Sequence, residues 1–152
     1  MKSWMRYGRW AAAILLLMVA VAASASGPDV TSDELKARVA SAPIKERPRL
    51  CVEIAQKQLD AADKLYAADD VEKAQITLTD VAAYSELARD YAIQSHKYEK
   101  QTEIAVRAMT RKLNDLLHSL GRDDQAAVRA VLTRLQRVRD DLLAAMFPKG
   151  TK

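Results

Sequence analysis

The residues from which chemistry could be built are few: His96, His118, a lone Cys51, and three acidic pairs. Asp115-Leu116-Leu117-His118 has the helical step of a metal-binding carboxylate and imidazole. A binuclear carboxylate bundle needs Glu-x-x-His on two helices and further Glu residues, and this run occurs once. The two histidines stand 22 residues apart. Covalent haem attachment requires Cys-x-x-Cys-His, which one cysteine cannot supply. Met109 and His118 fall on one helix, so they do not face each other as axial ligands. Asp69-Asp70 and Asp123-Asp124 stand where helices should begin, and acceptance from free N–H groups accounts for both. Asp140-Asp141 lies mid-helix, away from the apolar seam. No catalytic, cofactor-binding or metal-ligating residue is assigned, no cofactor is implied, and the chain is not expected to be an enzyme.

Other residues point to contact rather than reaction. Tyr84, Tyr91 and Tyr98 recur every seven residues beside Ala88, Ala92 and Ser95. They share one helix face, either as a core-boundary row or as a binding stripe for a partner protein. Cys51 falls on an apolar helix face as a small core residue, and an odd thiol in an exported chain also offers an intermolecular disulfide.

The elements that position these residues are helices. Gly and Pro are absent from residues 49–120 and again from 122–147. Antiparallel β folds need frequent turns and α/β folds many short connections, so both are excluded. Thr31-Ser32-Asp33-Glu34 is a capping box opening a short helix ahead of Pro43 and Pro48. A second helix is expected from about Pro48 to Ala68, with Cys51, Ile54, Ala55, Ala61, Ala62, Leu65 and Tyr66 on one face. A third runs from Val71 to Leu120 with no break signal before Gly121, roughly 75 Å at 1.5 Å per residue. Its first half carries Ala74, Leu78, Val81, Ala88 and Ala92. Its second half carries Val106, Met109, Leu113, Leu116 and Leu120 at heptad spacing. Residues 95–103 between them are nearly all polar, but Glu99, Lys100 and Gln101 are good helix formers, so continuity is expected. The fourth helix, from a cap at Asp123 to Phe147, repeats the seam with Val128, Val131, Leu135, Val138 and Leu142.

The run Tyr66-Ala67-Ala68-Asp69-Asp70-Val71-Glu72-Lys73-Ala74 resembles the turn of a tetratricopeptide repeat, commonly Tyr-x-x-Gly-Asp-Tyr-x-x-Ala. The resemblance covers about nine of the 152 residues. Asp69 replaces the turn glycine, and no closing proline or second 34-residue copy follows. It implies an antiparallel helical hairpin; binding by a repeat array needs stacked copies.

Residues 1–25 have the form of a secretory signal peptide. Lys2, Arg6 and Arg9 are followed by an apolar run from Trp10 to Ala23 and by Ala23-Ser24-Ala25 before Ser26. The run is shorter than the roughly 20 residues that span a bilayer. An exported product, periplasmic or extracellular and without a stable membrane span, is therefore expected. Without the leader, 21 basic residues face 20 acidic ones, so the basic balance is no sign of nucleic-acid binding. The charge is uneven: residues 26–96 hold 13 acidic and 9 basic residues, and 97–152 hold 7 and 12. The basic residues there have no interleaved aromatics, and nucleic acid is not an expected partner.

These features read as an all-α chain: antiparallel helical hairpins built on a long central helix (about 71–120), with coiled-coil-like or four-helix-bundle packing. A flexible segment with a short helix (26–48) precedes a single helical domain (49–147) and a C-terminal tail (148–152). Two hairpins end to end cannot bury their seams alone, so pairing of chains is expected. Tyr84, Tyr91, Tyr98, Val106, Met109 and Leu113 are the candidate association residues. The function expected is that of a non-enzymatic interaction or scaffold protein of the cell envelope, a homodimer with a further envelope partner. The alternative is a break near 95–103, giving a compact four-helix bundle that carries a small ligand or shields unfolded clients.

Overall fold

The computed structural model of the chain describes residues 30–150; the expected leader, residues 26–29 and the last two residues lie outside it. Five α-helices follow one another: α1 (Ser32–Ser41), α2 (Arg47–Ala67), α3 (Val71–Ser95), α4 (Glu99–Ser119) and α5 (Gln125–Met146), with a 3-10 turn at Arg122–Asp124 before α5. The all-α class expected from the spacing of Gly and Pro is what the chain adopts.

Local chemistry explains the ends. Thr31 Oγ1 accepts from the Glu34 amide at 3.3 Å, and Glu34 Oε2 accepts from the Thr31 amide at 3.1 Å, closing the capping box. Ala42 is extended ahead of Pro43, as the residue before a proline should be. Pro48 sits in the first turn of α2, where its missing N–H costs nothing. Between α2 and α3 the chain turns through Asp69 at φ 60°, and the Asp70 amide donates to the Leu65 carbonyl at 2.9 Å. Asp69 thus takes the left-handed conformation at the place where a tetratricopeptide turn carries glycine.

The acidic caps need correction. Asp69 lies outside α3, and Asp70 in the cap position makes no side-chain bond to the helix backbone; its carboxylate pairs instead with the Lys73 side chain at 2.9 Å. Asp123 is within the 3-10 turn, and Asp124 before α5 likewise caps nothing with its side chain. In both places the carboxylates keep only their favourable charge near a helix start.

The continuous central helix of 71–120 does not form. The chain reverses through His96-Lys97-Tyr98, with His96 at φ 51° and Tyr98 at φ 65°. Lys97 donates its amide to the Ala92 carbonyl at 3.2 Å, the six-to-one bond of a Schellman ending with His96 where glycine is usual. A left-handed non-glycine residue costs about 1 kcal/mol or more, and histidine is among the side chains that tolerate it best. Folding back repays that cost, because α4 and α5 then cover the apolar face of α2 and α3 within the same molecule. Chain pairing is not needed to bury the seams.

The result is two antiparallel hairpins, α2/α3 and α4/α5, laid face to face. α3 lies alongside α5 and α2 alongside α4, each pair running in the same direction. Their common core holds Leu59, Leu78, Val81, Val106, Leu113 and Leu135. Every heptad residue named for α5 is buried, and so are four of the five named at heptad spacing along α4; Leu120, past the end of α4, packs against the core's edge. α1 packs against α2 and closes a second, smaller core.

Two buried hydroxyls, those of Tyr66 and Thr102, interrupt the apolar pattern without a hydrogen-bond partner among the described residues. Thr102 is buried, and its hydroxyl has no hydrogen-bond partner among the described residues. An unpaired buried hydroxyl is a net cost of about 1–3 kcal/mol. Thr102→Val keeps the shape and removes that group, so the variant is expected to unfold at a higher temperature than the parent. A lower midpoint in a thermal melt followed by circular dichroism would show that the hydroxyl is satisfied.

Candidate interaction surface

The uneven charge of the chain is spent between its own hairpins. Arg134 of α5 donates from Nε and a terminal nitrogen to the two carboxylate oxygens of Glu86 on α3, both at 2.7 Å. Lys112 of α4 reaches Asp60 of α2 at 2.6 Å. Arg89 of α3 bridges Asp90 at 2.8 Å and Asp141 of α5 at 3.0 Å. Within the second hairpin, Glu103 is almost fully buried, accepts from Arg139 at 2.8 Å and forms an ion pair with Arg107 at 3.3 Å. Long basic side chains lie over the apolar seam with their heads at its edge. The fork of Arg134 holds the Glu86 carboxyl below the ordinary glutamate range, and Glu86 in turn raises Arg134.

α1 acts as a clasp on the first hairpin. Leu35 and Val39 cover Cys51, Ile54 and Ala88, while Tyr84 and Tyr91 flank them. Lys36 Nζ pairs with Asp80 at 2.9 Å and lies 5.5 Å from the centre of the Tyr84 ring. The Arg47 guanidinium stands 5.2 Å from the Tyr91 ring and donates to the Ala42 carbonyl at 3.0 Å, tying the α1–α2 link to α3. Gln58 adds a bond to Asp80 at 3.0 Å. Burial pushes the Cys51 thiol up to about 11, far from a reactive thiolate.

The candidate association residues therefore divide. Tyr84 and Tyr91 face α1 and its link, Tyr98 is exposed in the turn between α3 and α4, and Val106, Met109 and Leu113 are inside the core of the same chain. Cys51 is wholly buried and presents no sulfur at the surface. His96 and His118 stand just before and near the end of α4, about 30 Å apart at 1.5 Å per residue; His118 is exposed, its Nδ1 2.6 Å from the Asn114 carbonyl oxygen. Among the described residues no three His, Cys, Asp or Glu side chains are placed to hold a metal ion, and no helix is long and apolar enough to cross a membrane.

Two surface features remain. A shallow cleft of about 310 Å³ opens between α2 and α4, lined by Gln56, Leu59, Asp60, Ala108, Met109 and Lys112. At the end of the bundle where α3 turns into α4 and α5 stops, apolar side chains stand in solvent: Tyr98 is 36% exposed, Ile104 44% and Phe147 71%. Neither feature was visible in the spacing of residues. Tyr98 was, but only as one member of a row that the turn breaks. The pairs Glu86–Arg134 and Asp60–Lys112 had a signal, the opposite charge of the two halves of the chain, without the register needed to match partners. Comparison with protein-family models, with curated proteins and with solved structures finds no match to this chain.

The Glu86 pair sets a pH dependence. A carboxyl whose folded value lies below its unfolded one stabilises the fold above the unfolded value and loses this as pH falls through the folded value. Glu86 thus contributes fully above the ordinary glutamate value of 4.5 and progressively less below it. Glu86→Gln should cost about 1 kcal/mol at neutral pH, and the gap to the parent should close in acid. Urea midpoints of both proteins at neutral pH and in acid would check this; a constant gap would mean that the pair contributes nothing through its charge.

The clasp makes a separate prediction. Cys51 should be silent to a thiol reagent in the native chain, and Leu35→Ala should speed its labelling by tenfold or more, since truncating a buried leucine costs about 2–5 kcal/mol. Equal rates in parent and variant would show that α1 does not control access to the thiol.

Proposed function

We propose that this is an exported, non-enzymatic helical interaction protein of the cell envelope that works by self-association. The observation that carries the reading is the apolar end of the bundle. Ile104 and Phe147 are exposed there beside Tyr98, although the interior has apolar side chains enough of its own. Ile76 and Leu87 are exposed elsewhere along α3, but three of the five exposed large apolar side chains among the described residues lie toward this end, and exposed apolar groups near one another are the usual mark of a contact site. The basic n-region, apolar run and small-residue cleavage pattern of residues 1–25 support export. A second copy is the partner the surface suits, because the same end of another molecule offers the same apolar groups, and the helices that carry them also bear exposed charges of both signs, Lys100 on α4 and Asp140 on α5.

A second reading has one observation in its favour. The chain does break within 95–103 and folds into a compact bundle, and the cleft beside Leu59 and Met109 offers a small apolar ligand a foothold rimmed by the Asp60–Lys112 pair. At about 310 Å³ it lies at the lower limit of ligand-binding cavities, and its open shape supports this reading less well than self-association.

Sedimentation equilibrium of the mature chain, residues 26–152, tests the proposal. The parent should populate a dimer, and Ile104→Ser with Phe147→Ser should weaken it about tenfold or more, since each buried apolar side chain is worth about 1.5–3 kcal/mol. A parent that stays monomeric throughout would overturn self-association. An N-terminus at Ser26 in an exported fraction is expected; an intact chain retained inside the cell would overturn export.

A further inference from the structure

Resting on the proposal that the protein self-associates, we propose that it does so by exchanging hairpins: α3 and α4 of one chain straighten into a single helix, and its α4/α5 hairpin docks on the α2/α3 hairpin of a second copy. The main partner surface is then the one already described inside the monomer, offered to another molecule, and the apolar end with Tyr98, Ile104 and Phe147, which adjoins the straightened turn, lies where the two halves of the dimer meet.

The turn itself is the first argument. His96-Lys97-Tyr98 is a three-residue connection in which two residues are left-handed and none is glycine. The first turn of α4 has no side-chain cap. Straightening would return His96 and Tyr98 to right-handed backbone and give the amides of Glu99, Lys100 and Gln101 carbonyl partners four residues earlier. Residues 99–107 favour a helix on their own: Glu99, Lys100 and Gln101 have high propensity, and Glu103 pairs with Arg107 at 3.3 Å, a step of one turn. Short hinges under strain are the places where chains exchange elements.

The second argument is what the exchange preserves. The ion pairs Glu86–Arg134, Asp60–Lys112 and Arg89–Asp141 all join the first hairpin to the second. So does the apolar contact of Leu78 and Val81 with the seams of α4 and α5. Each of them re-forms with the second copy at the same distance, because only the connection changes. Charge chooses the docking partner. Residues 26–96 are net acidic and residues 97–152 net basic, so like hairpins from two open chains repel and unlike ones attract. Val106, Met109 and Leu113, inside one chain in the closed form, would pack against another chain in the exchanged one. The two Tyr98 side chains would lie near the two-fold axis where the straightened helices pass.

Cross-linking decides the matter. In the mature chain with Cys51→Ala, Glu86→Cys and Arg134→Cys mark the contact between hairpins, with the turn left as it is. The chain is refolded at high concentration, monomer and dimer are separated, and each is treated with a short bis-maleimide. Exchange predicts links within one chain in the monomer fraction and a covalent dimer on a denaturing gel in the dimer fraction. Dimers whose links run only within single chains would overturn exchange while leaving self-association standing. Absence of any dimer would overturn both. The turn supplies an independent readout: His96→Gly with Tyr98→Gly should lower the dimer fraction about tenfold, because glycine is at ease in the left-handed turn and poor in a continuous helix. His96→Ala with Tyr98→Ala should raise it. Unchanged fractions in both variants would overturn the role of the turn, and with it the proposal.

Discussion

A helical hairpin has one apolar side and no means of covering it, and the architecture here follows from that constraint. α2 and α3 meet along Leu59, Leu78 and Val81, α4 and α5 along Val106, Leu113 and Leu135, and each pair leaves an open face of the same character. Apolar burial contributes roughly 25 cal/mol per Å², which summed over a whole seam far exceeds any single polar contact on the surface. Laying one hairpin on the other is the shortest way to realise it. The turn at His96-Lys97-Tyr98 gives way to this demand, adopting a backbone that its residues do not favour.

The polar groups are arranged around that apolar contact and refine it. Arg134 and Glu86, Lys112 and Asp60 lie at the rim of the seam and fix which helix lies beside which. Partly exposed pairs of this kind add little stability. Their importance is in register, since a one-turn slip between α3 and α5 would leave Glu86 and Arg134 without their fork. α1 plays a similar part on the outer side. It is too short and too polar to persist by itself, yet Leu35 and Val39 complete a small core that would otherwise expose Ile54 and Cys51.

The legible part of the fold was its periodicity. Val128, Val131, Leu135, Val138 and Leu142 announce the inner face of α5, and Val106, Met109, Leu113 and Leu116 that of α4. The capping box at Thr31 was equally plain, because it depends on four adjacent residues. The break between α3 and α4 was not legible. Its residues are ordinary helix formers, and the left-handed His96 and Tyr98 are imposed by packing 10 to 40 residues away. The acidic pairs misled for a related reason: Asp69 suits a cap and a left-handed turn equally well, and only the backbone bond from Asp70 to Leu65 distinguishes them. The tyrosine row is legible as a face, but the helix that covers two of its members belongs to a segment with few apolar residues. Whether a face is free or taken cannot be read from the face alone.

The shortness of the connections has a consequence for survival among proteases. A protease must draw an extended stretch of backbone into its cleft, and exposed loop tips are where it usually finds one. Here Ala68–Asp70 and His96–Tyr98 are tight reversals between helices, and Leu120–Asp124 is partly wound into a 3-10 turn. The remaining connection, Ala42–Glu46 between α1 and α2, is held by the turn bond from Glu46 to Pro43 and by the bond from Arg47 to Ala42. Cleavage there would leave the four long helices intact and detach only the clasp. The clasp could thus be lost while the main body stays closed.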